Sequence, residues 1–404
     1  MTLASASPID NMPATGAPLA NEWSVLLAAC SLTPPCEKRE RLTLLLQQPI
    51  NWNRLFSLAE QHGVQPLLYL SLAEISASDS TLIPSDERRS LQESNTWNVR
   101  KALLLSRELI RVVDHLNLAQ IPAIPYKGIA LAESIYGDIA LRQAGDIDLL
   151  IHPQDFSRAR EALRALSFTP HAAFPAKHER EYLNSGYECS FDAPAGPNLL
   201  ELQWAIQPRF YAIDFDMAGL FDRSVGVTVA GHSMKALSTE DLFLVLAAHA
   251  AKHVWGRLIW LCDLARIQTQ SNLDWQWIAA RSKESGMCRI LQISLHAANQ
   301  LLEAEIPAGA LKAGLGQSDP CVSTVVDELQ IHCDREDMYN VESIAYFRLM
   351  MRLRERSSDR IRFLQRLIFT PGPGEWDAVR LPGVLYPLYR IVRLSRLAAR
   401  LLRQ

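Results

Sequence analysis

The sequence lacks the features of a secreted, metal-knuckle or membrane-spanning protein. Its seven cysteines are scattered and none forms a C-x-x-C pair, which argues against a zinc knuckle or a disulfide framework. No apolar run reaches the roughly 18 residues that a spanning helix needs. The first 22 residues contain no basic residue and no apolar core, so they predict a disordered tail rather than a signal or transit peptide. We therefore expect a cytoplasmic protein.

A strong net charge is also missing. The 404 residues carry a formal charge of −3, which gives no overall attraction to nucleic acid or membrane. A hydrophobic content of 48% and a charged content of 21% are ordinary for a soluble globular protein, and the length allows two or three domains. One segment departs from this balance. Residues 348–404 contain 13 arginines and no lysine against four acidic residues, a net charge of +9.

These arginines alternate with apolar residues at helical spacing, which predicts an amphipathic basic helix near Tyr386 to Arg403. The favoured interpretation is a solvated helical face that pairs with the acidic remainder of the chain. Peripheral contact with acidic lipid comes next, and binding to a nucleic-acid backbone comes last. Guanidinium is weakly hydrated, so an all-arginine pattern mixes with apolar residues more readily than lysine would.

The stretch Ile121 to Ile151 contains the strongest chemical signal. A short apolar run ends in Lys127-Gly128, and a helix-like segment then leads to Asp146-Ile147-Asp148 and further aliphatic residues. Side chains alternate along a strand, so the two aspartates share a face. Adjacent carboxylates repel and are costly to bury unless a cation lies between them. Their oxygens suit Mg²⁺; the alternative is a solvated aspartate pair.

A third acidic ligand and a phosphate-binding cation have several candidates. Glu201 lies inside an apolar strand, while Glu188 and Asp192 compete for the same role because alternation places them on one face. Lys127 is either a phosphate-binding lysine or a plain turn lysine. Arg142 either faces phosphate or pairs with the aspartates or with Asp138, which itself is expected to be a cap or turn residue.

The pattern resembles the nucleotidyltransferase superfamily related to DNA polymerase beta, and within it a bacterial branch of uncharacterised nucleotidyltransferases. The residues that carry the likeness are Lys127-Gly128, Tyr136-Gly137-Asp138, Arg142, Asp146-Ile147-Asp148 and Glu201-Leu202-Gln203-Trp204, followed by His249, His253, Trp255, Asp263 and Asp274-Trp275, to about Leu302. Two departures stand out. The superfamily usually has Gly-Ser where this chain has Lys-Gly, and often a histidine where this chain has Gln203.

The resemblance implies metal-dependent transfer of a nucleoside monophosphate from ATP or another NTP. It implies two Mg²⁺ ions held by Asp146, Asp148 and Glu201, with Lys127, Gly128 and Arg142 facing the phosphates. The acceptor is open: a small molecule, a peptide, a protein or a glycan precursor. Phosphoryl transfer by the same site and a non-catalytic, nucleotide-binding regulator are the alternative functions.

His249 and His253 are four residues apart and share a helical face. We expect this face to line the nucleotide or acceptor cleft; otherwise the histidines pack with Trp255 and Trp260. A zinc protease is excluded because the glutamate of H-E-x-x-H is missing.

The overall expectation is an α+β protein in which a small mixed nucleotidyltransferase sheet is flanked by helical regions. The predicted divisions are a disordered tail (1–22), an N-terminal helical region (23–118), the α/β core (119–237), a helical domain completing the cleft (238–340) and a basic helical C-terminal segment (341–404). Ser85, Ser238 or Thr239, and Asp274 are the predicted helix caps. Trp275 and Trp277 are both expected to be buried.

Overall fold

A computed structural model describes residues 21–171, 179–193, 196–270, 272–317, 320–332, 343–371, 375, 378–379, 381 and 383–403. The predicted tail lies outside these residues, except that its last two positions, Asn21 and Glu22, already begin the first helix. Among the described residues, no helix is both long enough and apolar enough to cross a bilayer.

The N-terminal region is helical, as its apolar spacing predicts. Its helices are α1 (Asn21–Cys30), α2 (Pro35–Leu46), α3 (Trp52–Gln61), α4 (Gln65–Ser78) and α5 (Ser85–Leu118). In α3 the buried side chains Leu55, Leu58 and Ala59 form one face at three- and four-residue spacing. The predicted cap of α5 is wrong: the helix starts at Ser85 itself, after Pro84, and no side chain caps it. Pro84 occupies the N-cap position, and its side chain has no hydroxyl or carboxylate that could accept a hydrogen bond.

The central part forms the predicted small mixed sheet. Its elements are β1 (Ala123–Pro125), α6 (Gly128–Leu131), a π-helical turn (Ala132–Tyr136), β2 (Ile147–Ile151), α7 (Phe156–Ala165), β3 (Thr169–Pro170), α8 (Glu179–Ser185), β4 (Glu188–Ala193) and β5 (Gly196–Gln203). The strand order is β1-β2-β5-β4-β3. Only β2 and β5 are parallel; the other neighbours are antiparallel.

The two faces of this sheet differ because side chains alternate. Ile147, Leu149 and Ile151 of β2 join a buried apolar cluster with Leu200 and Leu202 of β5. Helices α5 and α7 complete that cluster with Leu109, Val112, Phe156 and Leu163, among others. The opposite face presents the polar side chains to the second half of the chain. Because the apolar face is fully packed, it fixes the register of the strands. This register in turn determines which polar side chains lie next to one another on the opposite face.

After β5 the chain forms α9 (Met217–Asp222) and a hairpin of β6 (Val225–Val229) and β7 (His232–Ala236), as the glycine turn predicts. Helices α10 (Thr239–Lys252), α11 (Leu258–Gln270), α12 (Trp275–Ser285), α13 (Cys288–Leu302), α14 (Ala308–Lys312) and α15 (Pro320–His332) follow. Ser238 and Asp274 cap α10 and α12 as predicted. Trp277 is only half-buried, contrary to expectation: it lies outside the apolar core proper, and Arg223 and Arg281 cover part of its ring.

The C-terminal segment consists of α16 (Ile344–Arg352), α17 (Ser357–Phe369), a 3-10 turn (Gly383–Leu388) and α18 (Tyr389–Arg403). Arg366 of α17 donates to both carboxylate oxygens of Asp214, at 2.6 and 2.7 Å. Arg366 thus pairs with an acid outside the segment, whereas Arg393 and Arg396 of the predicted basic helix pair with Glu375 inside the segment. The prediction of a solvated basic face on that helix is therefore wrong for these two arginines.

Candidate active site

Gln203 lies at the centre of an acidic cluster on the polar face of the sheet. Its side-chain amide nitrogen donates to Asp148 Oδ1 at 3.1 Å, to Glu188 Oε2 at 3.2 Å and to Glu201 Oε2 at 3.0 Å. Its carbonyl oxygen accepts from the Tyr126 hydroxyl. One amide with two hydrogens thus serves three carboxylates, which shows how closely strands β2, β5 and β4 bring them together.

Strand register explains this convergence. Asp148 stands opposite Glu201 across the parallel β2–β5 pair, and Glu188 stands opposite Gln203 across β4–β5. Asp146 precedes β2 by one residue, and alternation predicts that it lies on the same face. The pairing therefore confirms that Asp148 and Glu201 face the same way, and the placement of Asp146 on that face stays a prediction.

Burial and mutual repulsion perturb these carboxyl groups. Burial, reinforced by the charges of Glu188, Asp148 and Asp146, raises the pKa of Glu201 to about 8. Burial and then Asp148 raise the pKa of Asp146 to about 6. At neutral pH the cluster consequently retains a proton on Glu201. A site that holds a proton against solvent in this way gains from any cation that replaces it.

Lys127 and Gly128 place a cation and a backbone turn against the aspartate pair. The Lys127 ammonium lies 3.2 Å from Asp148 Oδ1, and its side chain is only 12% exposed. Burial opposes its charge, but Asp148 and Tyr126 outweigh burial and raise the pKa of Lys127 above its ordinary value. Gly128 has a φ of +56°, and a Cβ there would lie 3.0 Å from the Asp146 carbonyl oxygen. Glycine therefore permits this close approach.

Arg142 pairs with an acid that is distant in sequence, and its role at phosphate stays a prediction. It donates to both carboxylate oxygens of Asp263 on α11, at 2.9 Å each, and both side chains are buried. The Tyr136 hydroxyl donates to the same carboxylate at 2.8 Å. The expected pairing with Asp138 or with the aspartates is wrong, and Asp263 satisfies the guanidinium that was expected to face phosphate. Asp138 instead accepts from the Ala140 backbone amide, which confirms its turn role.

The two histidines of α10 pack on one aromatic side chain. The His249 and His253 rings are 4.8 Å apart, and each ring centroid lies 5.2 Å from that of Trp260. Burial lowers the pKa of both, to about 3 for His253, so both are neutral at pH 7. Packing with Trp260 is thus observed, whereas Trp255 points elsewhere and donates to Ser294. A nucleotide role for the histidines stays a prediction.

Lys252, also on α10, lies close enough to the acidic cluster to interact with its charges. Its ammonium donates to the Tyr187 hydroxyl at 3.0 Å and lies 4.6 Å from the centre of that ring. Burial lowers the pKa of Lys252 to about 8, partly offset by the charges of Glu188, Glu201 and Asp148. Two lysines therefore lie near the carboxylates, one from the β1–α6 turn and one from α10.

The competing acid Asp192 lies outside the cluster. Both of its carboxylate oxygens contact His171 Nδ1, at 2.9 and 3.1 Å. Within the described parts of the chain, no three carboxylate, imidazole or thiolate groups converge closely enough to hold a metal ion as they stand. In this arrangement the Lys127 ammonium supplies positive charge beside the carboxylates, and the neutral Gln203 amide supplies hydrogen-bond donors.

The mixed sheet and the acidic cluster are consistent with the nucleotidyltransferase class that the sequence resembles. A family described as uncharacterised nucleotidyltransferases matches residues 48–303, well over half of the chain, and this protein belongs to that family. The match covers the sheet, the acidic cluster and helices α10 and α11. No curated protein and no solved structure matches the chain.

Sequence reasoning missed three functional neighbours. Gln203 follows Glu201 by two residues, so alternation could have placed it in the cluster. Tyr126 directly precedes the Lys-Gly turn. The Arg142–Asp263 pair spans 121 positions, and no local pattern signals it.

Proposed function

We propose that this protein transfers a nucleoside monophosphate from an NTP, with ATP as the favoured donor, to an acceptor hydroxyl or phosphate in a Mg²⁺-dependent reaction. The observation that carries the proposal is the meeting of Asp148, Glu201 and Glu188 at one amide group beside Lys127. Membership of a nucleotidyltransferase family supports the reaction class.

The donor set fits a hard divalent cation. It consists of carboxylate oxygens, and burial holds the pKa of Asp146 and Glu201 above ordinary values in the absence of a cation. Two Mg²⁺ ions held by Asp146, Asp148 and Glu201 would neutralise the triphosphate charge and activate the acceptor oxygen. To bind a cation, Asp148 and Glu201 would have to give up their hydrogen bonds to Gln203, and Asp148 its contact with Lys127.

Side chains of the protein place positive charge near the phosphates and hold the carboxylates in position. Lys127 contacts Asp148, Lys252 interacts with the same carboxylates, and both are cations available to phosphate oxygens. Tyr126 and Gln203 fix the carboxylate side chains through a buried hydrogen-bond chain. In the transfer, a bond forms between the acceptor oxygen and the α-phosphorus. The bond from that phosphorus to the bridging oxygen breaks, pyrophosphate leaves, and the acceptor proton passes to solvent.

Labelled ATP tests the reaction. The protein is incubated with Mg²⁺ and either α- or γ-labelled ATP, together with separate small-molecule, protein and glycan fractions as acceptors. We expect transfer of the α-label and its loss in Asp146→Ala/Asp148→Ala. Asp192→Ala is the matched control, because that acid lies on β4 outside the cluster, and it should transfer normally. Full turnover by the double variant would overturn the site assignment.

One observation favours a non-catalytic alternative. Among the described residues the carboxylates meet at the Gln203 amide rather than at metal-ligand distances from one point, so a protein that only binds nucleotide as a regulator is a second candidate. ATP binding without transfer of either label would support it. Transfer of the γ-label alone would instead identify phosphoryl transfer.

A further inference from the structure

On helix α18, Arg393 and Arg396 point toward the protein, whereas Ile391 and Leu394 point toward solvent. Arg393 donates to Glu375 at 3.1 Å and to the Leu367 carbonyl, and Arg396 lies 3.5 Å from the same carboxylate. Ile391 and Leu394, by contrast, are 62% and 42% exposed. At 100° per residue the two pairs point about 160° apart around the helix. An ordinary surface helix has the reverse orientation.

The exposed apolar side chains form a continuous row. Leu385 and Leu388 of the 3-10 turn precede Ile391 and Leu394 at intervals of three residues, and Leu385 and Leu388 are each 42% exposed. Such spacing aligns side chains along one edge of a 3-10 turn and the helix that continues it. Single exposed hydrophobic residues need no explanation, whereas an aligned row of four indicates a contact surface.

A basic groove lies beside this row. It has a volume of about 530 Å³ and is lined by Arg209, Arg366 and Arg390, together with Phe369 and Pro371. Asp214 neutralises Arg366, while Arg209 and Arg390 are exposed. Phe369 is itself 51% exposed. Guanidinium groups therefore border apolar side chains that have no cover within the described residues.

We propose that this C-terminal face, formed by Leu385, Leu388, Ile391, Leu394, Phe369, Arg209 and Arg390, binds the surface of an anionic lipid bilayer. Apolar side chains flanked by arginine match the boundary between acyl chains and acidic headgroups. The helix lies on the bilayer rather than across it, since the described residues contain no spanning helix. A second copy of the chain fits less well, because a symmetric contact would bring together two faces that carry the same positive charge.

Vesicle sedimentation with the full chain tests the proposal. The probes are vesicles of phosphatidylcholine alone and of phosphatidylcholine mixed equally with phosphatidylglycerol. We expect the protein to bind the mixed vesicles, to leave the neutral ones, and to dissociate as salt is raised. Ile391→Ser/Leu394→Ser should weaken binding at least about tenfold, because it removes two inserted side chains.

Two further variants separate the contribution of the arginine charges to vesicle binding from a general effect of exposed leucines. Arg209→Gln/Arg390→Gln should weaken binding about fivefold for each charge removed. Leu103→Ser/Leu104→Ser is the matched control, because these leucines of α5 are 56% and 63% exposed but lie outside the C-terminal face. It should bind like the wild type. Thermal unfolding should show that all three variants fold.

Several results would overturn the proposal. Unchanged vesicle binding by the Ile391/Leu394 variant would do so, and so would loss of binding in the Leu103/Leu104 control alone. Dimerisation in solution that the Ile391/Leu394 variant abolishes, without vesicle binding, would assign the face to a second copy. Binding to an oligonucleotide but not to mixed vesicles would assign it to nucleic acid.

Discussion

Replacing Glu201 with glutamine should stabilise the metal-free protein in a pH-dependent manner. In the folded protein the pKa of Glu201 is about 8, against 4.5 for an ordinary glutamate. Between these values the folded state holds more protons than the unfolded state, so stability falls as the pH rises and stays low above pH 8. Glutamine keeps the contact with Gln203 and removes the charge. The gain in the free energy of unfolding from the substitution should therefore be absent near pH 4.5 and largest above pH 8.

The size of this effect follows from the pKa shift. Each pKa unit corresponds to about 1.4 kcal/mol. Because Glu201 is only partly buried, solvent screening reduces the full value, and we expect about 1–3 kcal/mol. For a chain of this size that is a rise of about 2–6 °C in the unfolding midpoint.

Thermal unfolding followed by circular dichroism across this pH range, with a chelator present, measures the effect. Glu161→Gln is the control, because Glu161 is an exposed glutamate paired with Arg164 on α7. Added Mg²⁺ should reverse the order, since the wild type gains a cation that the variant binds poorly. A midpoint difference that is the same at both ends of the pH range would refute the reasoning.

Three further substitutions test other contacts. Asp263→Asn leaves the buried Arg142 without its carboxylate and should lower the free energy of unfolding by about 3–5 kcal/mol, measured by thermal unfolding. Asp114→Asn changes an exposed pair and should not lower it by this amount. Equal melting of the two variants would contradict this expectation. Lys127→Met should weaken ATP binding about tenfold in a fluorescent-analogue titration, and unchanged affinity would remove its phosphate role. Gly128→Ala should cost about 1–3 kcal/mol and lower transfer, because its φ is positive. Gly145→Ala, where a Cβ meets nothing within 4 Å, is its control, and equal stability of the two would disprove the steric argument.

The local alternation of residues was sufficient to predict which side chains lie on the polar face of the sheet. Alternation predicted that the second aspartate of D-x-D and Glu201 face the same way, and the register confirms it for Asp148 and Glu201. The caps Ser238 and Asp274 were also predictable, because each lies just before an apolar helical run.

Contacts distant in sequence were not predictable. Arg142 had acidic neighbours nearby in sequence, yet it pairs with Asp263 on α11, because the helix packing buries both. The orientation of α18 also depends on a distant acid, since Glu375 draws Arg393 and Arg396 inward. Sequence spacing shows two faces of a helix, but only the packing partner determines which one is covered.

Direct cation binding tests the central claim that the acidic cluster holds divalent metal at a triphosphate. The wild type, Asp146→Asn/Asp148→Asn and the control Asp192→Asn are titrated with Mn²⁺ in the presence of a non-hydrolysable ATP analogue. Electron paramagnetic resonance measures the free ion. We expect tight Mn²⁺ binding by the wild type and the control, and its loss in the double variant. Equal binding by all three proteins would contradict the assignment of the metal site to this cluster.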